Sequence, residues 1–231
     1  MKTYWLTKLF DTIAPRFCAV CGERLSVTES LLCARCHLHL PYTGFEATPL
    51  DNAVARTFWG HFPVERATSV FYFHPHSDLS RMVYALKYSG QPEIGEKMGI
   101  IMGRRLSDKR FFDGIDAIIP IPLTRGRQWH RGYNQSMEIA RGLHDVTGLP
   151  IWNKVVRRTK FAASQTSMRG WERRTNVEGR FVLTDGKRLQ GRHVLLVDDI
   201  ITTGATIISC ALALSEAGDV RISVLSMGVT V

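Results

Sequence analysis

The run V-L-L-V-D-D-I-I-T-T-G-A-T, Val194–Thr206, constrains this chain more than any other stretch. Four consecutive apolar residues read as a strand buried on both faces, as in a parallel sheet between layers of helices. Two aspartates follow, and a threonine-glycine turn then opens Thr206–Ala217, a very apolar helix stopped by Gly218. Neighbouring side chains of a strand point to opposite faces. Asp198 and Asp199 therefore reach one ligand only if the strand ends at Val197 and the chain turns. Gly204 supplies the turn, because glycine tolerates positive φ and lets backbone approach a ligand closely. Thr202, Thr203, Gly204, Ala205 and Thr206 then bring hydroxyls and N–H groups to a helix N-terminus, which suits a phosphate monoester. Two carboxylates beside that phosphate suit the 2′- and 3′-hydroxyls of a ribose. Singly these pieces are ordinary, with Asp as a turn residue and Thr as a helix cap. Their combination in this order points to a ligand. No G-x-x-x-x-G-K-[ST] occurs, which excludes a Walker A site.

The rest of the chain repeats the alternation. Ala67–Phe73, Ile115–Ile121, Ile151–Val156, Arg180–Leu183, His193–Val197 and Arg221–Met227 read as strands. Ser77–Tyr88, Glu93–Leu106 and Asn134–Thr147 have helical spacing, and Pro120 and Pro122 end the second strand. The expected fold class is α/β, a mostly parallel twisted sheet with helices on both faces. Ligands of such sheets bind outside the carboxyl ends of the strands, here after Ile121 and after Val197.

Cys18-x-x-Cys21 and Cys33-x-x-Cys36 form two knuckles whose four thiolates match a tetrahedral zinc site. A disulfide pair suits an oxidising compartment instead, and a redox C-x-x-C needs no twin. His37 and His39 follow closely enough to substitute as ligands. A closed Cys₄ site makes the zinc structural, and Cys210, inside the apolar helix, reads as core. Trp5, Leu6, Leu9, Phe10 and Ile13 fall on one helical face, while Lys8 and Asp11 interrupt any signal-peptide core. No window holds the roughly 18 uncharged apolar residues of a membrane span, so a cytoplasmic protein is expected. The domain expectation is residues 1–45 for the N-terminal helix and zinc ribbon, 46–63 for an irregular linker, and 64–231 for the α/β domain.

At Val194–Thr206 the sequence resembles the type I phosphoribosyltransferases. By that resemblance Asp198 and Asp199 hold the ribose of phosphoribosyl pyrophosphate (PRPP) and act catalytically, and Thr202 to Thr206 hold its 5′-phosphate. The implied activity is displacement of pyrophosphate from the anomeric carbon through an oxocarbenium-like transition state, with Mg²⁺. The loop after Ile121 lies where a second phosphate site is expected, and Arg125, Arg127 and Arg131 offer forked donors for the pyrophosphate. A basic surface loop is the plainer reading of these arginines. The stretch from Arg158 through Gln165 to Arg173 and Asn176 is long and polar. Such loops are functional lids or disordered, and its arginines suit a lid over pyrophosphate.

Taken together, the Cys pairs, L-K-Y-S-G (Leu86–Gly90), P-I-P-L (Pro120–Leu123), R-G-Y-N-Q (Arg131–Gln135), R-R-T with Gln165 and R-x-x-N (Arg173–Asn176) resemble the ComF/GntX family of phosphoribosyltransferase-like proteins. That resemblance spans essentially the whole chain. It implies a link to competence, DNA uptake and use of DNA as a nutrient, with other competence or DNA-processing proteins as partners. A net charge of +9 and a pI near 9.6 favour polyanionic partners. Three functions are left standing: phosphoribosyl transfer to or from a nitrogenous base, binding of single-stranded DNA with Trp129 or Tyr133 stacking on bases, and non-catalytic sensing of PRPP.

Overall fold

The computed structural model describes residues 14–75, 77–159 and 180–230. The expected helix over Trp5–Ile13, together with Gln165, Arg173 and Asn176, lies outside them. Four strands form one parallel sheet in the order β1-β6-β5-β2: β1 Val64–Tyr72, β2 Ala117–Pro120, β5 Arg192–Ile201 and β6 Val220–Val229. The apolar run explains its central position. Val194 to Val197 are all fully buried, so both faces of β5 need cover.

Alternation along β5 divides the core in two. Leu195 and Val197 pack with α3 (Asp78–Tyr88), α4 (Pro92–Ser107) and α6 (Gln135–Thr147). Val194 and Leu196 pack with α2 (Ala53–Phe58) and α7 (Ala205–Ser215). Helices thus cover both faces, as expected. Between α4 and α6 the backbones touch: a Cβ on Gly142 would collide with Glu96 O, and one on Gly99 with Ile139 O. The cysteine segment with α1 (Ala34–Leu38) joins the first core through Cys18, Leu31, Leu32 and Leu40.

Four local expectations need correction. The segment read as an irregular linker holds a 3₁₀ turn at Phe45–Ala47 and the helix α2. Asn52 Oδ1 accepts from Val54 N and Ala55 N while its Nδ2 donates to Thr48 O and Ala67 O, and Val54, Ala55 and Phe58 are buried. Six residues are too few to show a helical period in sequence. The strand expected over Ile151–Val156 is a single bridge, Ile151 to Ile118. The actual β3, Val156–Thr159, pairs antiparallel with β4, Arg180–Leu183, outside the main sheet. The arginine loop after Ile121 contains the helix α5, Arg125–Arg131. Thr124 Oγ1 caps it at Arg127 N, and Gly132 ends it with a φ of 80°. Finally, β5 does not stop at Val197. It runs to Ile201 because the ten-residue β6 keeps pairing with it as far as Val229.

Candidate functional site

The site follows from a step in the sheet. On one side β6 accompanies β5 through Asp198↔Ser226 to Ile201↔Val229. On the other, β2 pairs only as far as Pro120↔Val197. Beyond Val197 the β2 side of β5 has no strand partner among the described residues, and both aspartates stand on that stretch without the strand ending.

The first turn of α6 reaches the step. Asn134 Nδ2 donates to Ile121 O at 3.0 Å, and Asn134 Oδ1 caps α6 at Ser136 N. Ser136 Oγ then donates to Asp198 Oδ1 at 3.0 Å, which also accepts from Asp199 N. Asp199 is buried; its Oδ1 accepts from Ile200 N, and its Oδ2 lies 2.8 Å from Lys87 Nζ at the end of α3. Burial, and then the Asp199 charge, push the Asp198 carboxyl up to about 7, against its bonds to Asp199 N and Ser136 and the nearby Lys87.

The threonine-glycine loop follows directly. Thr202, Thr203 and Ala205 are exposed, Thr206 is half-buried and Gly204 is buried. Gly204 is the N-cap of α7, with a φ of 73° and no side chain to cap the helix. A Cβ there would lie 2.8 Å from Thr57 Cγ2 and 3.1 Å from Phe58 Cε1, so α2 fixes this turn from behind. The exposed hydroxyls and the start of α7 follow the carboxylates closely in sequence, directly after the end of β5.

The arginines divide between two places. Arg131 is tied to the start of α6 and the end of α3: its Nη1 donates to Gln135 Oε1 at 3.0 Å, and its guanidinium lies 5.4 Å from the Tyr88 ring centre. Tyr133 Oη donates to Leu86 O, fastening the same segment to α3. Arg125 lines a cleft of about 580 Å³ between α5 and β3, with Gln128, Asn153, Arg157 and Arg158. That cleft lies across β2 from β5, because Ile151 and Arg158 bridge to Ile118 and Thr124 on the far edge. Neither aspartate lines it. Arg127 is exposed on α5. Arg158, read as part of a lid loop, is a buried strand residue with its guanidinium 5.0 Å from the Phe181 ring centre. Two residues at the step carried no role in the sequence reading, Lys87 and Ser136. Lys87 had a signal, since it lies inside L-K-Y-S-G; Ser136 had only its place after R-G-Y-N-Q.

At the N-terminal end, the sulfurs of Cys18, Cys21, Cys33 and Cys36 all lie within 4.8 Å of one another. A Zn–S bond of about 2.3 Å places the sulfurs of a regular tetrahedron about 3.8 Å apart. The Cys21 to Cys33 separation is 3.7 Å, far beyond a disulfide. Cys33 N donates to Cys18 Sγ and Cys36 N to Cys33 Sγ, orienting the thiolates. Among the described residues the set is cysteine alone, without His37 or His39. These four residues can bind a zinc ion.

No protein-family model matches the chain. It is 30% identical over 210 residues to DNA utilization protein YhgH of Escherichia coli O157:H7, covering 90% of this chain and 87% of that protein. It is 28% identical over 217 residues to competence protein F of Haemophilus influenzae, covering 90% and 94%. The chain belongs to the competence protein F (ComF) family. A further ComF relative, competence protein ComFC of Streptococcus pneumoniae, is 31% identical over 109 residues, 47% of this chain and 46% of that protein. Solved structures similar to this ComF chain include the glutamine PRPP amidotransferase from B. subtilis, at 16% identity and a TM-score of 0.38 over 60% of this chain and 26% of that one. Another is the hypoxanthine phosphoribosyltransferase from Trypanosoma cruzi, at 16% identity and a TM-score of 0.37 over 59% and 67%. Among the described residues of this ComF protein, no helix is long and apolar enough to cross a membrane.

Proposed function

We propose that this ComF protein binds PRPP with Mg²⁺ and transfers a phosphoribosyl group to or from a nitrogenous base. The observation that carries the reading is the pair Asp198–Asp199 at the open step of the sheet, followed at once by the threonine-glycine turn into α7. In this reading the carboxylates accept from the ribose hydroxyls. Thr202, Thr203 and Thr206, with the N–H groups at the start of α7, hold the 5′-phosphate. In the forward reaction the bond from the anomeric carbon to pyrophosphate breaks with its electron pair leaving on oxygen, a bond to the base nitrogen forms, and that nitrogen's proton passes to solvent. Positive charge developing on the sugar ring is stabilised by the neighbouring carboxylates. Mg²⁺ bound with the substrate would supply charge neutralisation for the leaving pyrophosphate.

Calorimetry with Mg–PRPP tests the assignment: the double variant Asp198→Asn, Asp199→Asn should lose binding while still folding. Unchanged affinity overturns it. A screen of bases for pyrophosphate release then separates a transferase from a PRPP sensor, which binds without turnover. A second reading rests on the arginine cleft beyond β2 and on Trp129, 89% exposed on α5. Guanidinium groups beside an exposed aromatic suit single-stranded DNA, through phosphate contact and base stacking. Its sign is affinity that falls steeply with salt.

A further inference from the structure

Lys87 joins the proposed site without having been assigned to it by sequence. Its side chain is 22% exposed, and its ammonium stands 2.8 Å from Asp199 Oδ2. An ammonium has three donors. The bond to Asp199 uses one, and no further acceptor meets Lys87 among the described residues. The ammonium therefore has two further donors to offer, on a half-buried side chain that keeps some exposure. The lysine is also held in register. Leu86 O accepts from Tyr133 Oη, and the Tyr88 ring packs against Arg131, so the residues on either side of Lys87 are fastened to the segment that opens α6. That helix in turn holds Asp198 through Ser136.

The charge balance gives this geometry a purpose. Two adjacent carboxylates repel a ligand that carries a pyrophosphate, unless a cation stands between them. Among the described residues, Lys87 is the cation bonded to the pair. We infer that Lys87 is a pyrophosphate-binding residue, an ammonium bridging Asp199 and an anionic oxygen of the leaving group. This rests on the PRPP reading above and adds a named contact to it. The bridge needs no movement of α3, because the bond to Asp199 persists while the spare donors meet the ligand. In the reaction the same ammonium stabilises charge gathering on the departing pyrophosphate.

The test is calorimetric titration of wild type, Lys87→Met and Lys87→Arg with Mg–PRPP, Mg–pyrophosphate and ribose 5-phosphate. Lys87→Met should weaken both pyrophosphate-bearing ligands about ten- to a hundredfold, and ribose 5-phosphate by less than about threefold. Lys87→Arg, which keeps the charge, should recover part of the PRPP affinity. Equal loss for all three ligands, or no loss, overturns the inference. Wild type that binds none of them removes the PRPP reading and this inference together. Wild type that binds PRPP no better than Lys87→Met removes the inference alone. If Lys87→Met does not fold by its thermal melt, Lys87→Gln is titrated against the same ligands and judged by the same outcomes.

Discussion

Replacing Asp198 by Asn tests the site without any ligand. Burial and then the neighbouring Asp199 raise its carboxyl from the ordinary 3.8 to about 7. An acid whose pKa is higher folded than unfolded binds more protons in the folded state between those two values. Its stabilising contribution is therefore complete below about pH 4 and lost as the pH rises through about 7. Each pKa unit is worth about 1.4 kcal/mol, so three amount to about 4 kcal/mol. The side chain keeps some access to water, and screening there brings the figure to about 2 kcal/mol. Asp198→Asn keeps the shape and an oxygen for Ser136 Oγ and Asp199 N, and it cannot ionise. At about pH 8 the ligand-free variant should be more stable than wild type by about 2 kcal/mol, a rise in Tm of about 4–8 °C for a chain of this length. At about pH 4 the two should melt together. Thermal denaturation followed by circular dichroism across that range reads both limits. A variant melting at or below wild type at the upper limit, or a gap that ignores pH, refutes the electrostatic account. The same substitution should weaken Mg–PRPP, so one change would raise stability and lower affinity, as expected where a site keeps destabilising charge for its ligand.

Elemental analysis should find one zinc per chain, and Cys33→Ser should lose it and lower Tm by more than about 5 °C. Gly204→Ala should cost about 2 kcal/mol by denaturant midpoint, because it combines a positive φ with a 2.8 Å approach to Thr57 Cγ2. Thr57→Ser in that background should return part of the loss, since the methyl goes and the φ stays. For the DNA reading, Arg125→Ala with Arg157→Ala should flatten the slope of log affinity against log salt by about 1.4 for a single strand. An unchanged slope places the strand elsewhere.

The layers and the cysteine cluster were legible because each rests on a local pattern. Val194–Val197 announces a strand buried on both faces, and the structure buries all four. Two C-x₂-C knuckles announce four convergent sulfurs, and the sulfurs converge. The elements misread are those whose form depends on distant partners or on very short segments. Helix α2 is six residues long and is held by Asn52 reaching across to Ala67 O. Arg157 and Arg158 look like loop arginines until β4 arrives to pair with them, and Phe181 of that strand packs under Arg158. Lys87 was marked only by its place in L-K-Y-S-G, and its pairing was hidden because Asp199 lies 112 positions further along the chain.

The paired aspartates were placed at a strand edge by the wrong local cause. Alternation along a strand predicts that β5 stops at Val197. In the structure it is the neighbouring strand β2 that stops. Pro120 and Pro122 bring no N–H to a ladder, so β2 ends early, and that much was readable in the sequence. The length of β5 is set by β6 on its other edge, which keeps Asp198 and Asp199 in a hydrogen-bonded strand. The two carboxylates are thus held by backbone pairing on one side and open on the other. A strand held in this way positions them more firmly than a turn would, and it explains their different partners: Ser136 from the helix after β2 takes Asp198, and Lys87 from α3 takes Asp199. Lengthening β2 past Pro120 would pair this stretch of β5, and the two prolines work against that extension.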